Sequence, residues 1–276
     1  MSLVEKLVSI VSIEVEEPAA FGGFHFIFIF SVVILSVLLS RFIYRSSPRT
    51  LRRVLLFSFF VMLSLEVLKE VGLSFVRVDG ELVFDYPFGM LPFQLCSTPL
   101  YVLPLLALLP DGRVRDGAAA YTMTYALIGG VAVYLFPSTV FTSSVALNIQ
   151  TMVHHGLQIV TGVLTASCFR RRIDRRLFLL GAAFFTVAYA IANLLNTVGY
   201  SLLVALGAIA EGDGFNMFFV SPRTDQPTPM LAGVFKSLPP ILLILGYYVL
   251  MILGSYIIFS LIRLICDKER RHYVEK

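Results

Sequence analysis

The stretch RFIYRSSPRTLRR, residues 41–53, places five arginines between two apolar runs, Phe21–Phe42 and Val54–Phe75. Each run has the roughly 20 apolar residues that a helix needs to cross the hydrocarbon core of a bilayer. A short arginine-rich loop between such runs reads as a cytoplasmic turn, because basic residues are retained on that side. The pattern then repeats along the chain. Further runs at Phe88–Leu109, Gly117–Phe136, Ala146–Phe169, Leu177–Tyr200 and Leu238–Ile265 bring the number of expected spans to seven, with Ser201–Ala210 as an extension of the sixth.

Composition agrees. The 276 residues are 57% hydrophobic and 14% charged, with a mean hydropathy of +0.83. Soluble domains hold about 45–50% apolar and about 25% charged residues. The expected fold is therefore all-α, a polytopic seven-helix bundle in the cell membrane. Residues 1–20 form an outer segment, 21–266 the transmembrane domain and 267–276 a basic cytoplasmic tail. The acidic start has no positive n-region or cleavage site and is not read as a secretory leader.

Orientation follows from the loops. Seventeen Lys and Arg fall in the loop at 41–53, in DGRVR, in RRRIDRR and in the tail from Arg263. The opposite set holds four, Lys6, Arg77, Arg223 and Lys236, and Lys69 lies inside the second run. The N-terminus is expected outside and the C-terminus inside. The net charge of +4 thus sets topology and meets anionic headgroups; it is not a nucleic-acid footprint.

Polar residues concentrate at one depth. At about 1.5 Å per residue, Cys96 lies about 12 Å in from the outer start of the third run. His154 and His155 fall at a similar depth, as do Glu66 and Glu70, with Asn193, Asn196 and Tyr200 near the outer end of the sixth run and His25 at the outer mouth of the first. Ionisable groups inside a membrane face a bundle interior or a wet cavity. The expectation is a polar pocket in the outer half of the bilayer. Prolines 92, 99 and 104 predict a bent or unwound third helix beside Cys96. The long outer loop, with its apolar FNMFFV, either dips towards the interface and caps a cavity or is an ordinary surface connection.

Each residue carries a plainer alternative. Cys168 and Cys266, next to basic inner loops, read as packing residues, with palmitoylation a minor option. Cys96 differs because a histidine at its depth could favour the thiolate, which suggests a Cys96–His155 pair. Adjacent histidines point about 100° apart and cannot easily share a metal, so neither metal nor haem is expected. One histidine is expected to work in the pocket while the other bonds a neighbouring helix, with Gly156 allowing close approach. Glu66 could relay protons, orient a histidine or pair with Lys69. Asn193 and Asn196 read as interhelical hydrogen-bonding residues.

The series FVMLSLEVLKEVG (60–72), YPFGMLPFQLCSTPLYVLPLLAL (86–108), VHHGLQIV (153–160) and FNMFFVSPRT (215–224) resembles, in order and spacing, the YwaF-like integral membrane proteins. The resemblance covers roughly residues 20–265 and implies a seven-helix protein. Its eukaryotic relatives are described as membrane enzymes that move acyl chains between phospholipids through a cysteine and a histidine. By that resemblance Cys96 is the nucleophile, His155 the base and His154 its structural neighbour. Gln94 stands where the related segment often has histidine. No metal or organic cofactor is implied, and membrane phospholipids are the expected substrates. Gln94, Asn193, Asn196 or Tyr200 would stabilise the oxyanion. The reading from another class is a transporter or ligand-binding protein with Glu66 and His155 as proton or ligand sites.

Overall fold

A computed structural model describes residues 2–44, 48–221, 223 and 239–274. Arg45, Lys236, Lys276 and residues 224–238 of the outer loop lie outside the described residues. The chain is an all-α membrane protein built as a helix bundle. Among the described residues, four helical stretches are long and apolar enough to cross a membrane: Gly23–Phe42, Arg113–Leu135, Arg175–Ala205 and Ile241–Lys268.

The bundle follows the chain in order. An N-terminal helix α1 (Leu3–Val11) precedes α2 (Gly23–Tyr44) and α3 (Pro48–Leu73). A two-stranded hairpin, β1 (Phe75–Val78) and β2 (Glu81–Phe84), follows. Then come α4 (Pro99–Leu108), α5 (Arg113–Tyr121), α6 (Leu127–Leu135), α7 (Val145–Phe169), α8 (Arg175–Leu194), α9 (Tyr200–Ala205) and α10 (Pro240–Val274). Five-residue π turns, Thr122–Ala126 and Leu195–Gly199, carry α5 into α6 and α8 into α9.

The central helix is α7, which packs against α2, α3 and α6. Its polar residues face inward. Asn148, Gln150, His154, His155, Gln158, Thr161 and Thr165 are all buried. Small residues let the neighbours close on it. A Cβ at Gly156 would lie 2.7 Å from both the Tyr134 hydroxyl and Val32 Cγ2, and one at Gly130 would lie 2.7 Å from the His155 carbonyl oxygen. Gly156 thus allows the close approach expected of it. Helix α8 begins at Asp174, whose carboxylate accepts from Leu177 N at 2.8 Å, satisfying one of the free N–H groups of the first turn.

Three segments differ from the sequence-based expectation. The third run is not one helix from Phe88. A 3₁₀ turn at Phe88–Met90 gives way to irregular chain, then to a 3₁₀ turn at Leu95–Ser97 that leads into α4. Pro87, Pro92 and Pro99 supply no N–H, so helical bonds cannot build up before residue 95. The remaining helical piece, Leu95–Leu108, is about 21 Å long at 1.5 Å per residue, short of the roughly 30 Å hydrocarbon thickness. Secondly, the second run stops at Leu73 and is followed by the hairpin. Asp79 and Gly80, at φ 53° and 90°, make the left-handed two-residue turn that Asp-Gly favours. Thirdly, the outer segment 1–20 contains α1, whose Val8 and Val11 are buried and which packs on α3 and α7.

Candidate functional site

Cys96 sits in the first turn of the helical piece Leu95–Leu108. Pro87 and Pro92 interrupt the chain before it, and Pro99 opens α4, where no N–H is needed. Two side chains of α7 converge on its carbonyl. His154 Nε2 lies 3.0 Å from Cys96 O, and Gln158 Nε2 donates to the same oxygen at 2.7 Å. His154 and Gln158 are four residues apart and share one helix face.

The carbonyl can only accept, so His154 Nε2 carries the proton and Nδ1 holds a lone pair. That Nδ1 is buried and has no hydrogen-bond partner, in a residue 2% exposed. Gln158 Oε1 is likewise buried and unpartnered. His155 points elsewhere. Its Nδ1–H donates to Thr151 O of its own helix at 2.7 Å, which leaves Nε2 as its lone-pair nitrogen. The two rings stand 5.6 Å apart between centroids. Among the described contacts it is His154, together with Gln158, that α7 brings to Cys96.

A charged cluster lies on α3. Lys69 Nζ donates to Glu66 Oε1 at 2.7 Å and lies 3.1 Å from Glu70 Oε1. Gln150 Nε2, one turn before His154, reaches Glu66 Oε2 at 3.4 Å. Tyr86 donates its hydroxyl to Glu70 Oε2 at 2.8 Å. Burial, and then the Glu70 bond, raise the Tyr86 phenol above its usual range, so it stays a donor. Lys69 and Glu66 are within electrostatic reach of Cys96, and Lys69 within that of both histidines. Glu66 therefore has the Lys69 partnership that was one of its three expected roles.

After α9 the chain returns into the bundle. Met217, Phe218 and Val220 are fully buried, and two side-chain amides hold the backbone there. Gln94 donates to Asn216 O and accepts from Phe218 N, both at 2.8 Å. Asn196, in the π turn after α8, donates to Met217 O at 2.8 Å and accepts from Met217 N at 2.7 Å. The loop thus dips inward rather than running over the surface. Both amides are spent on the loop. Tyr200 accepts from Gly212 N at 2.8 Å, and its ring lies 4.9 Å from the Arg223 guanidinium carbon. Asn193 donates to Tyr189 O of its own helix at 2.9 Å. His25 is wholly buried; its Nδ1 accepts from Phe21 N at 3.2 Å and its ring packs on Phe141 and Tyr134.

The family model of the TMEM164 family matches residues 20–265. The chain belongs to that family. No curated protein and no solved structure matches it. The matched region of this TMEM164 family member holds Cys96, both histidines, the α3 cluster and the buried loop, and leaves out α1.

Three participants were not singled out as site residues from the sequence. Gln158 works with His154, four residues before it on the same face of α7, and binds the same oxygen. Lys69 was noted only as a partner of Glu66, although a lysine between carboxylates three residues before and one after it is itself a signal. Tyr121 meets the Cys96 turn through Thr98, with 2.7 Å between the hydroxyl oxygens. Thr98 already donates to Leu95 O, so Tyr121 is the donor. Among the described residues, no three His, Cys, Asp or Glu side chains gather as metal ligands do.

Proposed function

We propose that this TMEM164 family member is a seven-span membrane enzyme that transfers lipid acyl groups through a cysteine thioester, with its N-terminus outside and its C-terminus inside. The observation that carries the reading is the buried His154 imidazole, fixed by Cys96 O through Nε2 and bare at Nδ1. The main-chain bond holds an imidazole with a buried lone pair at the turn that carries the Cys96 thiol, which makes it the candidate proton acceptor for that thiol. The seventeen-to-four split of basic residues supports the orientation. The likeness of the Cys96 and His154–His155 segments to YwaF-like proteins supports the chemistry.

The steps balance without a cofactor. His154 Nδ1 takes the proton of the Cys96 thiol, and the thiolate attacks the ester carbonyl carbon of a phospholipid. The tetrahedral intermediate collapses as the C–O bond breaks, and the imidazolium returns its proton to the departing alkoxide. An acyl-thioester remains on Cys96. The imidazole then deprotonates the hydroxyl of a second lipid, or water, which attacks the thioester and regenerates the thiol. With the amides of Gln94 and Asn196 spent on the loop, the main-chain N–H groups of Leu95 and Cys96 are the donors for the oxyanion. They open the helical piece and have no carbonyl behind them.

In liposomes with an acyl-labelled phospholipid and a lysophospholipid acceptor, the wild-type protein should exchange label and carry an acyl mass on the Cys96 peptide. Exchange at the wild-type rate by Cys96→Ala would overturn the reading. A second reading rests on Glu66, which is 4% exposed and bridged to Lys69 and Gln150 inside the bundle. A proton-coupled transporter would lose uptake in Glu66→Gln and keep it in Cys96→Ala.

A further inference from the structure

We infer that residues 215–221 form a latched plug on the Cys96 turn, and that Gln94 is the positioning residue that couples the two, so that release of the latch controls how the thiol is reached. The role of Cys96 as reacting group rests on the function proposed above; the latch does not, and can be measured without turnover.

The plug is held in a conformation that its own residues disfavour. Phe218 and Phe219 have φ of 56° and 57°, in the left-handed region that aromatic residues rarely occupy. Such backbone persists only where its surroundings over-determine it. Here the surroundings are few and identifiable. Gln94 bonds the N–H of Phe218 and the carbonyl of Asn216, and Asn196 bonds both main-chain groups of Met217. The Asn216 side chain closes the far end by accepting from Ser221 N at 2.7 Å. Phe218 itself fills an aromatic nest, with ring centroids 6.1 Å from Phe93, 6.3 Å from Phe185 and 6.2 Å from Tyr189.

The two clamping residues belong to different elements, and each is placed to transmit movement. Gln94 is the N-cap of the turn that carries Cys96, and its carbonyl accepts from Ser97 N at 2.9 Å. Asn196 lies in a π turn, a local irregularity that proteins use at functional sites. At the plug's other end a Cβ on Gly89 would fall 2.7 Å from Gly214 O, so the loop lies directly on the irregular chain that leads to Cys96. Lifting the plug would therefore free Phe93 and Gln94, the two residues that lead directly into the Cys96 turn.

The test uses the full chain in liposomes with Cys168→Ser and Cys266→Ser, which leave Cys96 as the one remaining thiol of three. The readout is the rate of labelling by a water-soluble maleimide. Gln94→Ala and Asn196→Ala each remove two hydrogen bonds to the plug and should speed labelling by roughly tenfold or more. Phe219→Gly should slow it, because glycine takes a positive φ without clash and so favours the latched form. Asn193→Ala, whose amide serves its own helix, should leave the rate unchanged. Opposite shifts in the two kinds of variant support the latch, since misfolding cannot slow labelling by tightening the plug. Equal labelling in all variants would make the loop a fixed wall and overturn it. Should the clamp variants fail to elute as folded protein, hydrogen exchange on the wild type decides. Met217 and Phe218 amides that exchange at the saturating labelling rate support the latch, and amides that stay protected while Cys96 is labelled overturn it. Acyl exchange surviving in Cys96→Ala would refute the proposed reaction and leave the labelling result standing.

Discussion

His154 Nε2 lies 3.0 Å from the carbonyl oxygen of Cys96, so the imidazole grips the main chain of the residue whose side chain it would deprotonate. One ring both positions the turn and presents its bare Nδ1. The adjacent His155 is held in the complementary tautomer by Thr151.

The two histidines should therefore separate by mutation. His154→Ala is expected to lower acyl exchange by about 10²- to 10⁴-fold, the usual worth of a general base, and to loosen the Cys96 turn. His155→Ala should have a smaller effect. Liposome exchange assays on both variants check this. Full activity in His154→Ala with loss in His155→Ala would move the base to His155.

Three helical glycines, Gly130 in α6, Gly156 in α7 and Gly199 in the π turn after α8, give a stability prediction that is independent of chemistry. Gly130→Ala drives a methyl into the His155 carbonyl, a backbone atom that cannot step aside, and should destabilise by about 1–3 kcal/mol. Gly156→Ala meets Tyr134 and Val32 side chains, which can give way in part, and should lose less. Gly199→Ala finds no atom nearer than 3.6 Å at ordinary helical φ and should be neutral. Thermal unfolding in detergent ranks the three, and a Gly199→Ala protein as unstable as Gly130→Ala would contradict the packing.

The α3 cluster should show strong coupling. Lys69→Met leaves Glu66 and Glu70 facing each other without their shared cation, and should cost about 3–5 kcal/mol. Adding Glu66→Gln should recover part of that loss, because the uncompensated charge goes with it. Chemical denaturation of the single and double variants gives the cycle. Strict additivity would mean that the three groups do not act as one network.

Ser144 performs two tasks with one hydroxyl. It donates to Val11 O at 2.6 Å and accepts from Leu147 N at 3.3 Å as the N-cap of α7. Ser144→Ala should destabilise by roughly 1–2 kcal/mol and raise hydrogen exchange in α1 as well as in the first turn of α7. Exchange confined to α7 would show that α1 is held by packing alone.

Much of this arrangement was readable from residue order. The Arg-rich loops and apolar runs place the helices because both are properties of local composition averaged over about 20 residues, the scale at which a bilayer selects. The convergence of Cys96 and the histidine pair on one layer followed from counting rises along helices. What could not be read was angular. Whether His154 or His155 faces Cys96 depends on a rotation of about 100° about α7, and hydropathy carries no signal for it in a helix polar on several faces. The hairpin went unread because its two four-residue strands lie between the second and third runs and are far shorter than the stretch of about 20 residues over which hydropathy was followed, although Asp79-Gly80 marked the turn. Gln94 and Asn196 were read as oxyanion donors, and Asn196 also as an interhelical link, since the backbone they hold lies more than a hundred and about twenty residues away respectively.

The family match begins at residue 20, yet α1 is wedged against the bundle: a Cβ at Gly72 would come 2.3 Å from Val11 Cγ2. The contact is made by two valines and a few hydrogen bonds at the end of an extended tether, 13–18, which among the described residues is anchored where Ile13 and Val15 pair with residues 143–145. An element joined in that way is one that neighbouring copies can trade. A chain cut at residue 20 would offer an empty notch, and a chain retaining α1 would offer the matching wedge. Mixed at high density in one membrane, the two forms should pair, and co-purification of the untagged full-length chain with a tagged chain cut at residue 20 would reveal it.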